Sequence, residues 1–431
     1  MRFSLLLLLL ALTASTAAWA QNSNNYGSIY SRFGLGEREE FSSSQSDALG
    51  GLGVALRSAQ YNGLANPALW ADLSFTDFSA SAIVRSIETT DGSDATSQGG
   101  SGGLGALELG LPLVRDRLGL TVAFRPYSRV NYRAIQDGTF TPDEGGSDVD
   151  FTTNFEGEGG LYQLSAGLGA RLTGGLRVGA SVDGYFGNVS YLQRTTFVDQ
   201  NYEETRTARS ARLSGISGTV GFVLTAPGVF NEGDGLHIGG AVTLPARLSG
   251  EEVRTLGFSL DRDTISVAQE GEVTIPLVAR AGVAFTGRER WTLAADVLYE
   301  PWSQFESSFA FGGFDQDAGV NELRDRFRVS GGFQVVPGGR DRTAGFFARS
   351  AYRLGAYTER AFYAPAGTGV QTIAVTGGLS FPTLIPTARL DFGIEAGVRG
   401  ATDGILVRDT FIRGTATINF GERWFVRRRF G

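Results

Sequence analysis

Arginine is the residue of this sequence best suited to binding chemistry. All 38 basic residues are arginine, and a guanidinium holds a carboxylate through paired donors. Arg125 and Arg177 occupy inward positions of alternating segments, where they could bind the carboxylate head of an amphiphile. Further candidates of the same kind are Arg280, Arg349, Arg389 and Arg399. These arginines could instead pair across strands in a structural ladder with Asp183, Asp296, Asp391 or Glu395, and both interpretations stay open.

Catalytic and metal chemistry have little support in the sequence. The chain has no cysteine and therefore no thiol nucleophile. His237 is the single histidine, and no nucleophile lies at a spacing that would make it a catalytic base. We therefore expect neither an enzyme nor a cofactor.

The segment 136–158 carries seven acidic residues and no basic one. Oxygen ligands at this density could hold calcium. The spacing is not that of an EF-hand, however, and we expect a solvated outer loop without a metal site.

The first twenty residues resemble a secretory signal, with one arginine, a leucine run and Ala18-Trp19-Ala20 before Gln21. We expect 1–20 to be removed and the mature chain to be exported. The net charge of -7 and pI of 5.1 exclude the basic stripe typical of nucleic-acid binding.

Regular alternation of apolar and polar residues positions these side chains. In the segment 390–398, every second residue is apolar and the residues between them are charged or glycine. The apolar face consists of Leu390, Phe392, Ile394, Ala396 and Val398. The runs are long enough for membrane strands of about 9–11 residues, which predicts an all-β, antiparallel transmembrane β-barrel with lipid outside and a polar lumen. Fourteen runs are found, near 73–87, 102–112, 117–133, 159–172, 175–195, 206–228, 234–249, 273–286, 290–305, 322–336, 343–357, 370–382, 387–401 and 408–420.

The connections between the runs differ in length. Short turns such as Thr173-Gly174 alternate with long polar segments, 136–158 and 250–272. This asymmetry predicts short periplasmic turns and long exterior loops. The barrel is expected over 73–420, followed by a basic periplasmic tail over 421–431.

Residues 21–72 lack a spanning strand but hold too many apolar residues for a solvated tail. We expect a plug, or hatch, inside the lumen. Asn66 is suited to cap a short helical turn begun by Pro67 and Ala68, which would end the plug and direct the chain into the first strand.

Pro126 interrupts the third run and removes a ladder donor, so a bulge or gap is expected there. An ordinary bulge or strand end would leave the same pattern as a functional gap.

Four stretches resemble the long-chain fatty acid outer-membrane transporter family. They are Asn66-Pro67-Ala68 after the glycines at 50–53, Pro301-Trp302-Ser303-Gln304-Phe305 at the end of a late strand, and Tyr30 to Gly36 with Arg423 to Arg427, which are similar to one branch of the family. The resemblance implies a monomeric fourteen-stranded barrel with an N-terminal hatch. It also implies diffusion of hydrophobic molecules and lateral exit where the third strand kinks inward.

The function predicted on this basis is passive uptake of hydrophobic small molecules, such as long-chain fatty acids or aromatic hydrocarbons, across the outer membrane of a gram-negative bacterium. Phe33 and Leu35 of the hatch would line the path, and lipid and lipopolysaccharide would surround the barrel. The alternative is a barrel without transport that serves as a docking or structural subunit of an outer-membrane secretion or assembly complex with protein partners.

Overall fold

Fourteen antiparallel strands form the wall of the protein. The computed structural model describes residues 26–142, 147–199, 201–257, 262–264, 268–288, 290–339, 341, 343–385 and 387–422. The wall strands are β1 (Thr76–Thr90), β2 (Thr96–Val114), β3 (Leu118–Pro126 and Ser128–Phe140), β4 (Val149–Arg171), β5 (Leu176–Phe197), β6 (Thr205–Pro227), β7 (Gly235–Thr243 and Ala246–Gly257), β8 (Gln269–Ile275 and Val278–Gly287), β9 (Trp291–Glu300), β10 (Arg326–Val335), β11 (Ala351–Arg360), β12 (Gln371–Pro382), β13 (Ala388–Gly400) and β14 (Arg408–Glu422).

The wall closes on itself. β1 pairs with β14 along its whole length, from Thr76 opposite Glu422 to Thr90 opposite Arg408. Closure satisfies the backbone groups that a sheet edge would expose to lipid, which is the condition for a membrane-spanning sheet. The predicted all-β barrel of fourteen antiparallel strands is confirmed.

Residue alternation decides which side chains face outwards. In β9, Leu293 is 55% exposed and Trp291, Val297 and Tyr299 are also exposed, whereas Asp296 between them is buried. β13 repeats the pattern with exposed Phe392 and Ile394. The apolar outer face predicted from the sequence is therefore present.

The two ends of the barrel have different connections. The near end, where β1 begins and β14 ends, carries the short turns 115–117, 172–175 and 288–290. The far end carries the connection 301–325 between β9 and β10. It includes a 3-10 turn (Trp302–Gln304) and the short strands Glu306–Ser307, Phe314–Asp315 and Val320–Asn321.

The two long loops predicted at 136–158 and 250–272 are wrong in extent. β3 continues to Phe140 and β4 begins at Val149, so most of the first segment is strand. β7 continues to Gly257, Arg262–Thr264 pairs with it, and β8 begins at Gln269. Polar residues on both faces hid these extensions, because strands that project beyond lipid lose the apolar alternation.

The N-terminal segment, defined here as residues 26–75, precedes β1 and contains only short elements. They are two 3-10 turns (Ile29–Arg32 and Pro67–Asp72), one α-helical turn (Ser44–Asp47) and a two-residue strand (Glu37–Arg38) that pairs with Ser128 and Arg129 of β3. An α-helical turn (Phe346–Arg349) and a 3-10 turn (Pro365–Gly367) lie in connections between wall strands. None of the helices in the described ranges has the length and apolarity needed to cross a membrane.

Candidate functional site: the lumen and its N-terminal segment

Most of the N-terminal segment is buried against the inner faces of the wall strands. Its far part packs in an aromatic cluster with the 301–325 connection. There Phe33 is 1% exposed and stacks on Tyr363 with ring centroids 4.8 Å apart, and Leu35 is 0% exposed. Trp302 stacks on Phe362 at 4.4 Å and donates from Nε1 to Glu300 Oε2 at 2.6 Å. These rings fill the far end of the lumen around the N-terminal segment.

A layer of charges lies next to this cluster. We call it the charge belt, and it consists of Glu37, Arg38, Glu39, Glu40 and the wall residues that they bind. Glu39 accepts from Arg85 at 2.9 and 3.0 Å, and Glu40 accepts from Arg326 at 2.7 Å and Arg280 at 3.2 Å.

The charge belt joins opposite parts of the wall through single side chains. Glu37 pairs with Arg399 of β13, and Arg38 lies 3.4 Å from Glu300 of β9. Arg326 of β10 is 2% exposed and also binds Glu300 at 3.2 Å and Glu359 at 2.8 Å. The N-terminal segment therefore supplies carboxylates to wall arginines and an arginine to the wall residue Glu300.

The arginines keep the belt carboxylates ionised despite burial. Burial acts to raise the pKa of Glu39, but Arg85 and then Arg129 outweigh it and lower this pKa to about 2. Burial likewise opposes ionisation of Glu40, and Arg326 and Arg280 hold its pKa well below the ordinary value. An ion pair inside a protein needs such complete neutralisation to offset desolvation.

The sequence-predicted arginines are inward, and most bind groups of the protein itself. Arg125 donates to the carbonyl of Phe41 and to Gln163 Oε1, and Arg177 donates from Nε to Asp72 at 2.7 Å. Arg280 and Arg399 belong to the charge belt, and Arg389 donates to Ser380. Arg349 lies in the turn at Phe346–Arg349 and not on a wall strand.

The expected acidic partners are bound in different ways. Asp391 pairs with Arg353 at 3.2 Å and Glu395 pairs with Arg413. Asp183 accepts from the hydroxyl of Thr219 at 2.6 Å, and Asp296 accepts from the backbone amides of Gly53 and Val54. The cross-strand ladder is thus present only in part, because the N-terminal segment provides many of the partners.

The wall is interrupted beside Pro126. Up to that residue β3 pairs with β2, from Val114 opposite Leu118 to Leu107 opposite Phe124. Beyond it, residues 128–140 pair with β4 and with Glu37–Arg38, and the described residues show no pairing of this part with β2. We call this separation of β2 from β3 the wall opening.

A bulge turns β3 away at this point. Pro126 lies opposite Tyr162, whereas Val130 lies opposite Gly159, so three residues of β3 face two of β4. Gly159 and Gly160 have φ angles of +102° and +138°, which side chains rarely adopt. The register therefore has a bulge next to Pro126, the residue at which an irregularity was expected.

The N-terminal segment covers the wall opening from inside. The amide of Gly27 donates to the carbonyl of Asn131 in β3 at 3.0 Å, and the carbonyl of Tyr26 sits where a side chain on Gly99 of β2 would begin. Residues 26–27 therefore lie between the two separated strands.

The junction with β1 has the predicted cap. Asn66 Oδ1 accepts from the amide of Ala68 at 3.0 Å, and Pro67 begins the 3-10 turn. Asn66 Nδ2 also donates to the carbonyls of Val54 and Phe222, which fixes the turn to the wall. Asn66, Pro67 and Ala68 thus form a capped turn immediately before the start of β1, and a role of this turn in ending a plug stays a prediction.

Among the described residues, the cavities between the N-terminal segment and the wall include three with volumes of about 60, 30 and 10 Å³. The first is in the charge belt, and Arg125 lines the second. On this scale a water molecule needs about 10–15 Å³, and a cavity of about 150 Å³ binds benzene. Phe33 and Leu35 line none of the three, and none of them is large enough for an aromatic hydrocarbon.

His237 and some acidic residues of segment 136–158 make ordinary hydrogen bonds to threonine hydroxyls. His237 is buried, and its Nδ1 lies 3.1 Å from the hydroxyl of Thr225. In segment 136–158, Asp137 and Asp150 accept from threonine hydroxyls. No cluster of three or more acidic, histidine or cysteine side chains placed to hold a metal ion occurs in the described parts of the chain. Residues 1–20 and 423–431 lie outside the described residues, and 421–422 belong to β14.

The charge belt was not anticipated from the sequence. Its signal is the run Glu37-Arg38-Glu39-Glu40, which interrupts an otherwise apolar and small-residue segment. Four consecutive charges inside a predicted plug require partners on the wall, since buried charges are paired.

Comparison with known proteins shows which solved structures share the fold and to which family the chain belongs. The chain is similar to the Ralstonia pickettii toluene transporter TbuX, with 16% identity, 89% of this chain and 99% of that one covered, and a TM-score of 0.57. The chain is also similar to the Pseudomonas putida toluene transporter TodX, with 15% identity, 90% of this chain and 100% of that one covered, and a TM-score of 0.56. A Pseudomonas aeruginosa FadL homologue is similar as well, with 12% identity, 88% of this chain and 98% of that one covered, and a TM-score of 0.57.

These likenesses confirm the predicted resemblance to the fatty acid transporter family at the level of the fold. No curated protein matches the sequence. The BamG family model matches residues 2–431. The chain therefore belongs to the BamG family.

Proposed function

We propose that this protein is an outer-membrane channel for hydrophobic small molecules and that its N-terminal segment closes the channel. The observation that carries the proposal is the wall opening between β2 and β3 beside Pro126. An unpaired stretch of wall is costly in lipid, so it calls for a functional reason. Lateral passage of an apolar molecule into the membrane provides one.

The neighbours of similar fold support this choice of substrate class. TbuX and TodX are named as toluene transporters, and CymD as a monoaromatic hydrocarbon channel. Applied to this chain, the likeness supports aromatic hydrocarbons or long-chain fatty acids as cargo, with Phe33 and Leu35 on the path once the N-terminal segment moves. Arg125 and Arg177 are the proposed partners of a carboxylate head.

The proposed organisation follows the same argument. Residues 1–20 are a cleaved export signal, 21–72 the plug and 73–422 the barrel, and the basic periplasmic tail is the remainder, 423–431. The near end faces the periplasm and the far end the exterior, because barrels of this class have short periplasmic turns. The protein is proposed to act as a monomer surrounded by lipid and lipopolysaccharide.

A second candidate function is favoured by the charge belt and the small cavities. Ion pairs join the N-terminal segment to β1, β8, β10 and β13, and the three cavities are too small for either proposed cargo. A barrel sealed in this way suits a docking or structural subunit of an outer-membrane secretion or assembly complex, in which the plug never leaves.

An engineered disulfide separates the two functions. The Ser28 hydroxyl donates to Asp409 of β14, and the natural chain has no cysteine. A Ser28→Cys, Asp409→Cys pair would therefore hold the N-terminal segment to the wall when oxidised. The experiment measures uptake of toluene and a labelled long-chain fatty acid into liposomes that contain the refolded barrel.

For a channel, uptake by the natural chain exceeds that of empty liposomes, falls when the disulfide forms and returns on reduction. The two single-cysteine variants should respond to neither treatment. Absence of uptake by the natural chain, and by a chain that lacks residues 21–70, would instead support the docking subunit.

Pro126→Val tests the wall opening itself. Valine restores a donor at the bulge and favours a continuous strand, so we expect slower uptake of both cargoes. A barrel that takes up both cargoes at the natural rate after this change would contradict lateral exit. Leu120→Val, earlier in the same strand and away from the opening, is the control.

A further inference from the structure

Two carboxylates at the near end of the lumen are buried without a basic partner. Asp77 on β1 and Glu108 on β2 both point inwards, and Glu108 is 2% exposed. Asp77 Oδ2 accepts from Asn62 Nδ2 at 3.1 Å. Neither carboxylate forms an ion pair with any described residue, in contrast to the glutamates of the charge belt.

The strand register brings five inward residues together. Asp77 lies opposite Gly110, Gly110 lies opposite Thr121 of β3, and Ser79 lies opposite Glu108. Paired strands are about 4.8 Å apart and alternate residues about 6.7 Å. Asp77, Glu108 and Thr121 therefore surround the bare backbone of Gly110.

Asn62 of the N-terminal segment reaches into the same place. Its Nδ2 donation to Asp77 sets the orientation of the amide, and its Oδ1 sits where a side chain on Gly110 would begin. A carbonyl oxygen thus points to the centre of the three wall residues. It adds to the negative potential there instead of reducing it.

Three buried oxygens at this position have no hydrogen-bond partner among the described residues. They are Glu108 Oε1, Asn62 Oδ1 and Thr121 Oγ1, and Thr121 is 0% exposed. Arg125, the cation that acts electrostatically on Glu108, gives its hydrogen bonds to Phe41 and Gln163. Buried polar atoms are rarely left unpaired, so a group absent from the protein chain is required.

We propose that Asp77, Glu108, Asn62 and Thr121 bind a divalent cation of the calcium type. All four donors are hard oxygens, which is the set that calcium prefers. Two carboxylates match its charge, whereas the amide and the hydroxyl complete the protein ligands. The ion links the N-terminal segment to β1, β2 and β3 next to the start of the barrel.

The competing explanation is a proton held by the acidic pair. A proton would relieve the repulsion between Asp77 and Glu108, but one proton serves only one acceptor. The carbonyl oxygen of Asn62 would still lack a donor, because the Thr121 hydroxyl, itself a donor, makes no hydrogen bond with any described residue. A cation satisfies all of these oxygens at once. This inference does not depend on transport.

The test is calcium binding to the full mature chain, refolded in detergent and freed of metal by chelation. Titration calorimetry with calcium chloride, and separately with magnesium chloride, gives stoichiometry and Kd, and circular dichroism gives the Tm. We expect one calcium ion per barrel and a higher Tm in calcium, because a ligand of the folded state stabilises it.

Asp77→Asn and Glu108→Gln should each weaken calcium binding by about tenfold or more, because affinity follows ligand charge. Thr121→Val should weaken it less. The double variant Asp77→Asn, Glu108→Gln removes the repulsion, so it should fold without calcium and show the same Tm with and without it. Asp183→Asn is the matched control, since that carboxylate is satisfied by the Thr219 hydroxyl and its loss should leave Kd unchanged.

Two results would overturn the site. A natural chain that binds no calcium while folded would show that the pair is simply protonated. Equal binding by the natural chain and the double variant would place the ion elsewhere, for example on the acidic residues of segment 136–158.

Discussion

The two halves of the N-terminal segment are held in the lumen by different forces. The far half, residues 26–40, is held by stacked aromatic rings and by the charge belt. The near half, residues 41–75, contributes the ion pairs of Asp47 and Asp72, but much of its contact is backbone against wall glycines. Side chains at Gly332 and Gly355 would collide with Leu49, and one at Gly179 would overlap Pro67.

This difference indicates which half can move. Ion pairs exchange for water when their charge is lost, whereas backbone seated against glycine has no alternative position without a change in the wall. The wall opening also lies against the far half, at Gly27 and Glu37–Arg38. Gating by the N-terminal segment should therefore release residues 26–40 and leave the near half in place.

Removal of Arg326 should have the largest effect on this comparison. Arg326→Ala leaves Glu40, Glu300 and Glu359 close together without their shared cation. Breaking a buried ion pair in this way costs about 3–5 kcal/mol. Hydrogen exchange of residues 28–40 should rise strongly, whereas exchange of residues 45–70 should change little.

Arg360→Ala is the control for that experiment, because Arg360 is exposed and donates only to the carbonyl of Asp325. Equal acceleration of exchange in both halves after Arg326→Ala would show that the segment moves as one unit and would remove the distinction.

Acid should release the far half before the near half. The pKa of Glu39 falls from 4.5 to about 2 on folding, which contributes about 3 kcal/mol of stability. Because the folded pKa is the lower one, this stability is fully present above about pH 4.5 and is lost as the pH falls towards 2. Cleavage of residues 26–40 by a protease that stays active from neutral to acid pH should therefore begin only below about pH 4.5.

Glu39→Gln provides the comparison for the acid experiment. This variant has no carboxylate to protonate at the position, so its cleavage should depend less steeply on pH. Cleavage of the natural chain already at pH 6 would contradict the assignment of the belt as the lock.

The sequence predicted the barrel better than its interior. Alternation is a property of each strand and is readable locally, so the strand number, the outward residues of β13 and an irregularity at Pro126 were all predicted. The cap of Asn66 was likewise local. The partners of Arg177 and Arg280 could not be predicted, because Asp72 and Glu40 reach them through the path of the N-terminal segment, and no periodicity encodes that path.

Because the backbone of the near half lies against wall glycines, a larger residue at one of these glycines should lower the stability through its size alone. Gly179→Ala places a methyl group against the backbone of Pro67 and Ala68, and overpacking of this kind costs about 1–3 kcal/mol. We expect a lower Tm and faster exchange in residues 60–72, with the far half unchanged. Gly174→Ala, at a position with open space, should leave the Tm as it is.

The smallest expected effect comes from the cap between the plug and β1. Asn66→Ala removes the acceptor for the Ala68 amide, and loss of such a cap costs about 1 kcal/mol. It also removes the donor to Val54 and Phe222. Asn66→Asp keeps the acceptor but not the donor, so it separates the two roles. If the Asn66→Asp variant regains most of the Tm that Asn66→Ala loses, the cap holds the turn. If both variants lower the Tm equally, the hydrogen bonds that Asn66 donates hold the junction to the wall, and the near half depends on that contact more than on its own turn.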